Sequence, residues 1–180
     1  MFTPNAYGMF SMPTLETKRL ILRRITMRDA EDIFEYSKDK EVARHVLWSA
    51  QKDISEAKDY CRFMMKRYRC DQPSSWGIID KTTNRLVGTI GYMDYNEDNA
   101  TVELGYSLAR WLWNGGYMTE ALSRVIEYTF ESMDINRIEA QHELTNPSSG
   151  RVMEKCGMQK EGVLRQRLYN KGRYVDVALY

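Results

Sequence analysis

Apolar residues change their spacing several times along this chain, and each change marks an element. In KRLILRRI (Lys18 to Ile25), Leu20, Leu22 and Ile25 stand at strand-like positions. TMRDAEDIFEYSKD then turns helical, with Thr26 or Asp29 as a cap and Ile33, Phe34 and Tyr36 as apolar surface. KDISEAKDYCRFMMKRYRC predicts a second amphipathic helix, because Ile54, Ala57, Cys61, Met64, Met65 and Tyr68 keep a three-four spacing. SSWGIID, RLVGTIGYMDY and ATVELGYSLA are β runs joined by the turns KTTN and NEDN, which predicts an antiparallel meander. From Met118 the apolar positions 118, 121, 122, 125, 126, 130 and 133 form a helical stripe. NRIEAQHEL is a strand, and NPSSGRVMEKCG is a short helix closed by Gly157. VLRQRLYNKGRYVDVALY is a hairpin turning at Asn170 to Gly172. The order β-α-α-β-β-β-α-β-α-β-β describes one α/β (mixed α+β) domain over 15–180, with 1–14 as a tail or an extra edge segment. Tyr180 ends the sequence inside a strand-like run, which leaves room for a longer natural chain.

Composition narrows the function classes. The 26 basic and 25 acidic side chains leave a net charge of +1, which argues against a nucleic-acid partner held by a basic face. Cys61, Cys70 and Cys156 form no CxxC pair, and His45 and His142 lie far apart in sequence, so no metal site is expected. The odd cysteine count and the absence of a basic-then-apolar leader point to a reducing cytoplasm. No apolar run reaches the ~18 residues that span a bilayer, so no membrane association is expected. A homodimer could form through the tail, the exposed methionines or the final hairpin.

The pattern leaves one stretch that needs an occupant. In LWNGGYMTEA, Gly115 and Gly116 open the strong helix that follows the third meander strand. A nucleotide-triphosphate loop would continue with Lys-Ser or Lys-Thr, and a dinucleotide fingerprint would need three spaced glycines. Glycines allow close backbone approach, and a helix N-terminus offers free N–H groups and a positive dipole end. A phosphate or pyrophosphate is one reading and a plain strand-to-helix turn is the other.

Several words in order carry a family resemblance: VELGYSL (102–108), WNGGYMTEAL (113–122), N-P-S-S with RVMEKCGM (146–158), EGVLR (161–165) and the opening LETKRLILRRITMRDAEDI. With them the chain from Thr14 to Tyr180 resembles the GNAT acetyltransferase superfamily, and within it the Rim-type branch that acetylates protein N-terminal amines. The resemblance implies a mostly antiparallel, splayed mixed sheet flanked by helices. It also implies acetyl-CoA as co-substrate, its pyrophosphate cradled by the backbone of Asn114, Gly115, Gly116, Tyr117, Met118 and Thr119. Asn114 stands where the family usually has a glycine, and asparagine is the side chain most tolerant of left-handed backbone. The pantetheine arm would lie along Tyr106, Ser107 and Leu108, with Asn146 and Ser149 near its sulfur.

Direct acetyl transfer needs a neutral amine, a proton acceptor, donors for the tetrahedral oxyanion and a hydrogen bond for the leaving thiolate. Near pH 7 on the order of 10% of an α-amine is neutral, against ~0.04% of a lysine amine. Alternation in TVELGYS puts Glu103 on a face with Thr101, Gly105 and Ser107, opposite Val102, Leu104, Tyr106 and Leu108. Glu103 is the base candidate, with a solvent-facing or ion-paired carboxylate as the other reading. Ser149 is the acid candidate or a helix-capping serine; the tyrosine many superfamily members place four residues later is Met153 here, which donates no proton. Glu143 is a candidate for positioning the amine. Trp48 lies in the loop that lines the acceptor site in this superfamily, and is a substrate contact or a packed tryptophan. Glu120 is expected to complement the helix dipole, His142 to be a hydrogen-bonded sheet histidine, Cys156 to be buried, and Trp111 and Trp113 to pack. The resemblance favours the N-terminus of a protein, such as a ribosomal protein, as acceptor. The alternatives are a small amine (polyamine, amino acid or aminoglycoside) and a non-catalytic acyl-CoA-binding sensor. A polyamine site would need converging carboxylates, and none are visible in the sequence.

Overall fold

The computed structural model describes residues 8–180, so residues 1–7 of the expected tail lie outside the described residues. Eight strands form one sheet: β1 (Leu15–Glu16), β2 (Leu20–Arg24), β3 (Ser75–Asp80), β4 (Arg85–Asn96), β5 (Thr101–Leu108), β6 (Arg137–Glu143), β7 (Gly162–Asn170) and β8 (Arg173–Leu179). Their order is β1-β2-β3-β4-β5-β6-β8-β7. Only β5 and β6 run parallel; the other neighbours are antiparallel. The helices are α1 (Ala30–Ser37), α2 (Lys40–Ala43), α3 (Ile54–Arg69), α4 (Tyr117–Ser132) and α5 (Pro147–Lys155). The expected order therefore holds, with the two-residue β1 and the four-residue α2 added. Among the described residues no helix is long and apolar enough to cross a membrane.

β3 is buried at every position because it is central and covered on both faces. Trp76, Ile78, Leu20, Leu22 and Ile90 are fully buried, and their burial is the main driving force for closing the sheet. α1 packs on α3 and β4, while α4 packs on β2, β4 and α5. Asp53 starts α3 by accepting from Ser55 N at 2.7 Å, and Ala57, Cys61 and Met64 of that helix face the core. In α4 the buried stripe is Met118, Ala121, Leu122, Val125, Tyr128 and Thr129, not Phe130 as the apolar count suggested. A 3.6-residue period carries the inner face from 125 to 128 and 129, and leaves Phe130 half exposed. Thr129 is accommodated there by hydrogen bonds to Val125 O and the Tyr92 hydroxyl, both at 2.7 Å. Upstream of β1, Phe10 and Met12 are buried, and Phe10 meets Tyr92 and Tyr95 edge-on.

The sheet divides where the parallel pair ends. β5 pairs with β6 only from Thr101 to Leu104, against Arg137 to Ala140. Beyond that point β6 turns to β8, pairing Gln141, His142 and Glu143 with Leu179, Ala178 and Val177. Gly105 to Leu108 stay bonded to β4 on one side and, among the described residues, have no strand partner on the other.

Candidate active site

A cleft of about 360 Å³ opens at this division. Its floor is Tyr106, Ser107 and Leu108 of β5. One wall is Asn114 and Gly116 with the first turn of α4, including Tyr117, Met118 and Thr119. The other is Asn146 and Ser149 at the start of α5, and the far end is closed by residues 41–46. Ten of the expected cofactor positions thus line a single cavity.

The helix entrance is a tight left-handed turn. Asn114 (φ 61°) and Gly116 (φ 78°) both adopt left-handed backbone, which turns the chain sharply into α4. Among the described residues no side chain caps α4. The N–H groups of its first turn, at Tyr117, Met118 and Thr119, have no intrahelical acceptors and lie at the cleft wall. Gly115 is outside the lining; its carbonyl instead accepts from Arg19 Nη1 at 2.9 Å. Arg19 also stacks on Tyr117, 3.9 Å from the ring centre, and its Nε donates to Glu120 Oε2 at 2.7 Å. Glu120 further accepts from Arg19 N at 2.7 Å and from the Thr17 hydroxyl. Burial alone would raise the Glu120 carboxyl, but these donors hold it below its ordinary value. Glu120 is therefore a tie between β2 and the glycine turn, a role beyond the dipole contact expected of it.

At the opposite wall, Ser149 does not cap α5. Its Oγ lies 2.9 Å from the Tyr106 hydroxyl, which also donates to Ser149 O at 3.1 Å. Burial pushes the Tyr106 phenol well above its ordinary range, so it holds its proton. Met153 is buried. A phenol is absent from that helical position, yet one reaches Ser149 from the neighbouring strand. The Trp113 indole donates to Leu108 O at 2.8 Å, and Cys156 packs α5 onto α4 through Ser123 Oγ and Thr119 O. His142 pairs its Nδ1 with Glu143 O at 2.7 Å and sits beside the Tyr180 ring.

Glu103 is half buried and does not line the cleft; it stands three strand residues, about 10 Å, before Tyr106. Gln141 Nε2 donates to it at 2.8 Å. Burial raises the Glu103 carboxyl, the Gln141 donor opposes this, and Asp94 and Glu139 add to the rise. Those neighbours sit opposite Glu103 on β4 and β6, so three carboxylates do converge here, although the sequence did not show it. Trp48 lies outside the cleft and packs against the core.

Glu143 is also outside the lining, but it touches a residue that is not. It is 4% exposed. It accepts from Asn170 Nδ2, meets His45 Nδ1 at 3.2 Å and Thr145 Oγ1 at 3.3 Å, and has Arg173 Nη2 at 3.6 Å. Burial would raise this carboxyl too, and the bonds from Asn170 and His45 hold it low. His45 lines the cleft. Sequence reasoning missed it; the available signal was its place in the loop already assigned to the acceptor.

A family model described as "Acetyltransferase (GNAT) domain" matches residues 19–159. The chain is 36% identical to the uncharacterized N-acetyltransferase YoaA of Bacillus subtilis (strain 168), over 93% of this chain and 95% of that one. It is 29% identical to the [ribosomal protein uS5]-alanine N-acetyltransferase of Escherichia coli (strain K12), over 92% and 88%. The solved microcin C7 self-immunity acetyltransferase MccE, in complex with acetyl-CoA and AMP, shares the fold with a TM-score of 0.83. That likeness covers 98% of this chain and 96% of MccE at 20% identity.

Proposed function

Since the chain belongs to the GNAT acetyltransferase family, and is an acetyl-CoA-dependent N-acetyltransferase, we propose that its acceptor is the N-terminal α-amine of a protein. The observation that carries the acetyl-CoA side of this reading is the continuity of the cleft. One cavity joins an uncapped helix N-terminus, the unpartnered stretch of β5 and the Tyr106–Ser149 pair. Pyrophosphate would meet the N–H groups of Gly116 to Thr119, and pantetheine would pair along Tyr106 to Leu108. The sulfur would then sit by Ser149, whose hydroxyl donates to it as the C–S bond breaks. The phenol of Tyr106 orients that hydroxyl. Acceptor choice is supported by the relative that acetylates an alanine of ribosomal protein uS5. The three cysteines are unpaired, which accords with action in a reducing cytoplasm.

The placement of Asp94 and Glu103 opposite each other, beside a Glu139 held by Arg137 at 2.6 Å, supports a second reading, a cationic small amine such as a polyamine. In either reading Glu103 would take a proton only through water, given its separation from Tyr106. The deciding experiment is thiol release from acetyl-CoA with peptides bearing free N-terminal Ala, Ser or Met, with spermidine, with single amino acids and with an aminoglycoside. Turnover with a peptide class supports the protein-amine reading. Turnover with spermidine alone replaces it with the second. Acetyl-CoA binding without turnover on any amine returns the non-catalytic sensor.

A further inference from the structure

The cleft ends on a carboxylate–imidazole pair that the acetyl-transfer scheme has not yet used. We propose that His45, oriented by Glu143, accepts the proton of the attacking amine at Nε2. This rests on the acetyl-transfer reading and gives it a proton acceptor in the cleft itself, in place of Glu103, which lies outside the lining.

Geometry carries the assignment. Both polar contacts of the His45 ring are made through Nδ1, 3.2 Å from Glu143 Oε2 and 3.4 Å from Thr145 Oγ1. An ionised carboxylate only accepts, so Nδ1 bears the hydrogen and Nε2 is the basic nitrogen. Glu143 cannot readily turn away to bind an amine itself, because Asn170 and Thr145 engage its oxygens within a buried site. It acts as a positioning residue. The loop is held as well: Lys171 Nζ donates to Ala43 O at 2.8 Å and to Val46 O, on either side of His45. Thr145 is followed directly by Asn146, so the imidazole abuts the start of α5, and His45 lines the same cavity as Ser149.

The step balances with groups already described. The amine nitrogen attacks the thioester carbon and forms the C–N bond. Nε2 takes one N–H proton from the tetrahedral intermediate. The C–S bond then breaks, its electron pair leaves on sulfur, and the sulfur takes the proton offered by Ser149. Solvent restores the serine proton and receives the one held on the imidazolium. The charged groups around His45 are Glu143 from β6, Lys171 and Arg173 from the final hairpin, and Glu41 and Arg44 on its own segment. The last two pair with each other at 3.3 Å.

The test compares wild type with His45→Gln, His45→Ala, Glu143→Gln and Glu143→Asp, using the amine that wild type acetylates best. Acetyl-CoA affinity is measured by calorimetry and kcat by thiol release across pH 6–9. His45→Gln is expected to lower kcat by about 10²-fold or more, in the range of lost general-base catalysis, with acetyl-CoA affinity kept within about threefold. The pH limb that reports the imidazole disappears with it. Glu143→Gln is expected to lower kcat with acetyl-CoA affinity and the KM for the amine kept, and Glu143→Asp to recover part of the loss. Added imidazole restores turnover to His45→Ala and not to wild type, which keeps the test sound if the glutamine variant folds poorly. A His45→Gln enzyme within threefold of wild-type kcat overturns the proposal. So does a loss of acetyl-CoA affinity that accounts for the whole defect. A wild type that binds acetyl-CoA and acetylates no amine instead sinks the acetyl-transfer reading on which the proposal stands.

Discussion

Replacing Glu120 with alanine removes the tie between β2 and the glycine turn, and the structure sets the size of the effect. Three donors converge on this carboxylate: the Thr17 hydroxyl, Arg19 N and Arg19 Nε. A hydrogen bond to a charged group contributes about 1.5–3 kcal/mol where water is excluded. Here the side chains of Arg19 and Glu120 are 37% and 19% exposed, so the ion-pair share falls below about 1 kcal/mol. The two remaining donors add roughly 1 kcal/mol together, because water reaches them in part. A total near 2 kcal/mol lowers Tm by about 4–8 °C for a chain of this size. Arg19 also loses the partner that aims it at Gly115 O and Tyr117, so the cofactor turn loosens. Acetyl-CoA affinity should fall about fivefold, equivalent to about 1 kcal/mol. The pH dependence gives a second check. The folded Glu120 carboxyl titrates below its ordinary value of 4.5, so its stabilisation is complete above that value and fades as pH falls through the folded one. The Tm gap between wild type and Glu120→Ala should therefore close in acid. A gap below about 1 °C at pH 7, or one of full size at pH 3, would refute the reasoning.

Three further outcomes are expected. Ser149→Ala should lower kcat by about 10²-fold with acetyl-CoA binding retained, and Tyr106→Phe by less, since it removes only the group that orients the serine; steady-state thiol release checks both. Gly88→Ala would set a Cβ 2.4 Å from Ser107 O and 3.1 Å from Leu108 Cα, so β4 and β5 must separate under the cleft floor. Its cost is about 3 kcal/mol, read as a fall in Tm with weaker acetyl-CoA binding. Gly150→Ala would place a Cβ 2.6 Å from His142 Nε2 and 3.0 Å from the Tyr180 hydroxyl, prising α5 from the sheet; thermal denaturation should show a loss of about 1–3 kcal/mol.

Local patterns made the cofactor wall legible. A glycine pair before a helical stripe, alternation in TVELGYS and a Pro-led short helix each write their element within a dozen residues, and ten of the cofactor positions that the family resemblance implies lie on those elements and line one cavity. What escaped was contact across sequence. Tyr106 meets Ser149 over 43 residues, His45 meets Glu143 over 98, and Arg19 meets Glu120 over 101. No periodicity reports such pairs. Glu143 was chosen for its strand and Trp48 for its loop, yet the cleft wall in that loop is His45 and Val46, while Trp48 packs against the core. α2 is one turn long, too short to leave a stripe, and its start depends on Asp39 accepting from Glu41 N.

The parting of β5 from β6 has a consequence for solubility. Past Leu104, β5 is an edge strand in the interior of a sheet, and unpaired strand edges are templates for self-association. Charged or proline residues usually blunt such edges, but Gly105 to Leu108 contain neither. Protection falls to the walls, α4 on one side and α5 on the other, which enclose the edge in the cleft. A change that loosens α5 therefore does more than weaken catalysis: it uncovers an aggregation site at the place proposed for the cofactor, and if acetyl-CoA occupies that edge, saturating acetyl-CoA suppresses the aggregation.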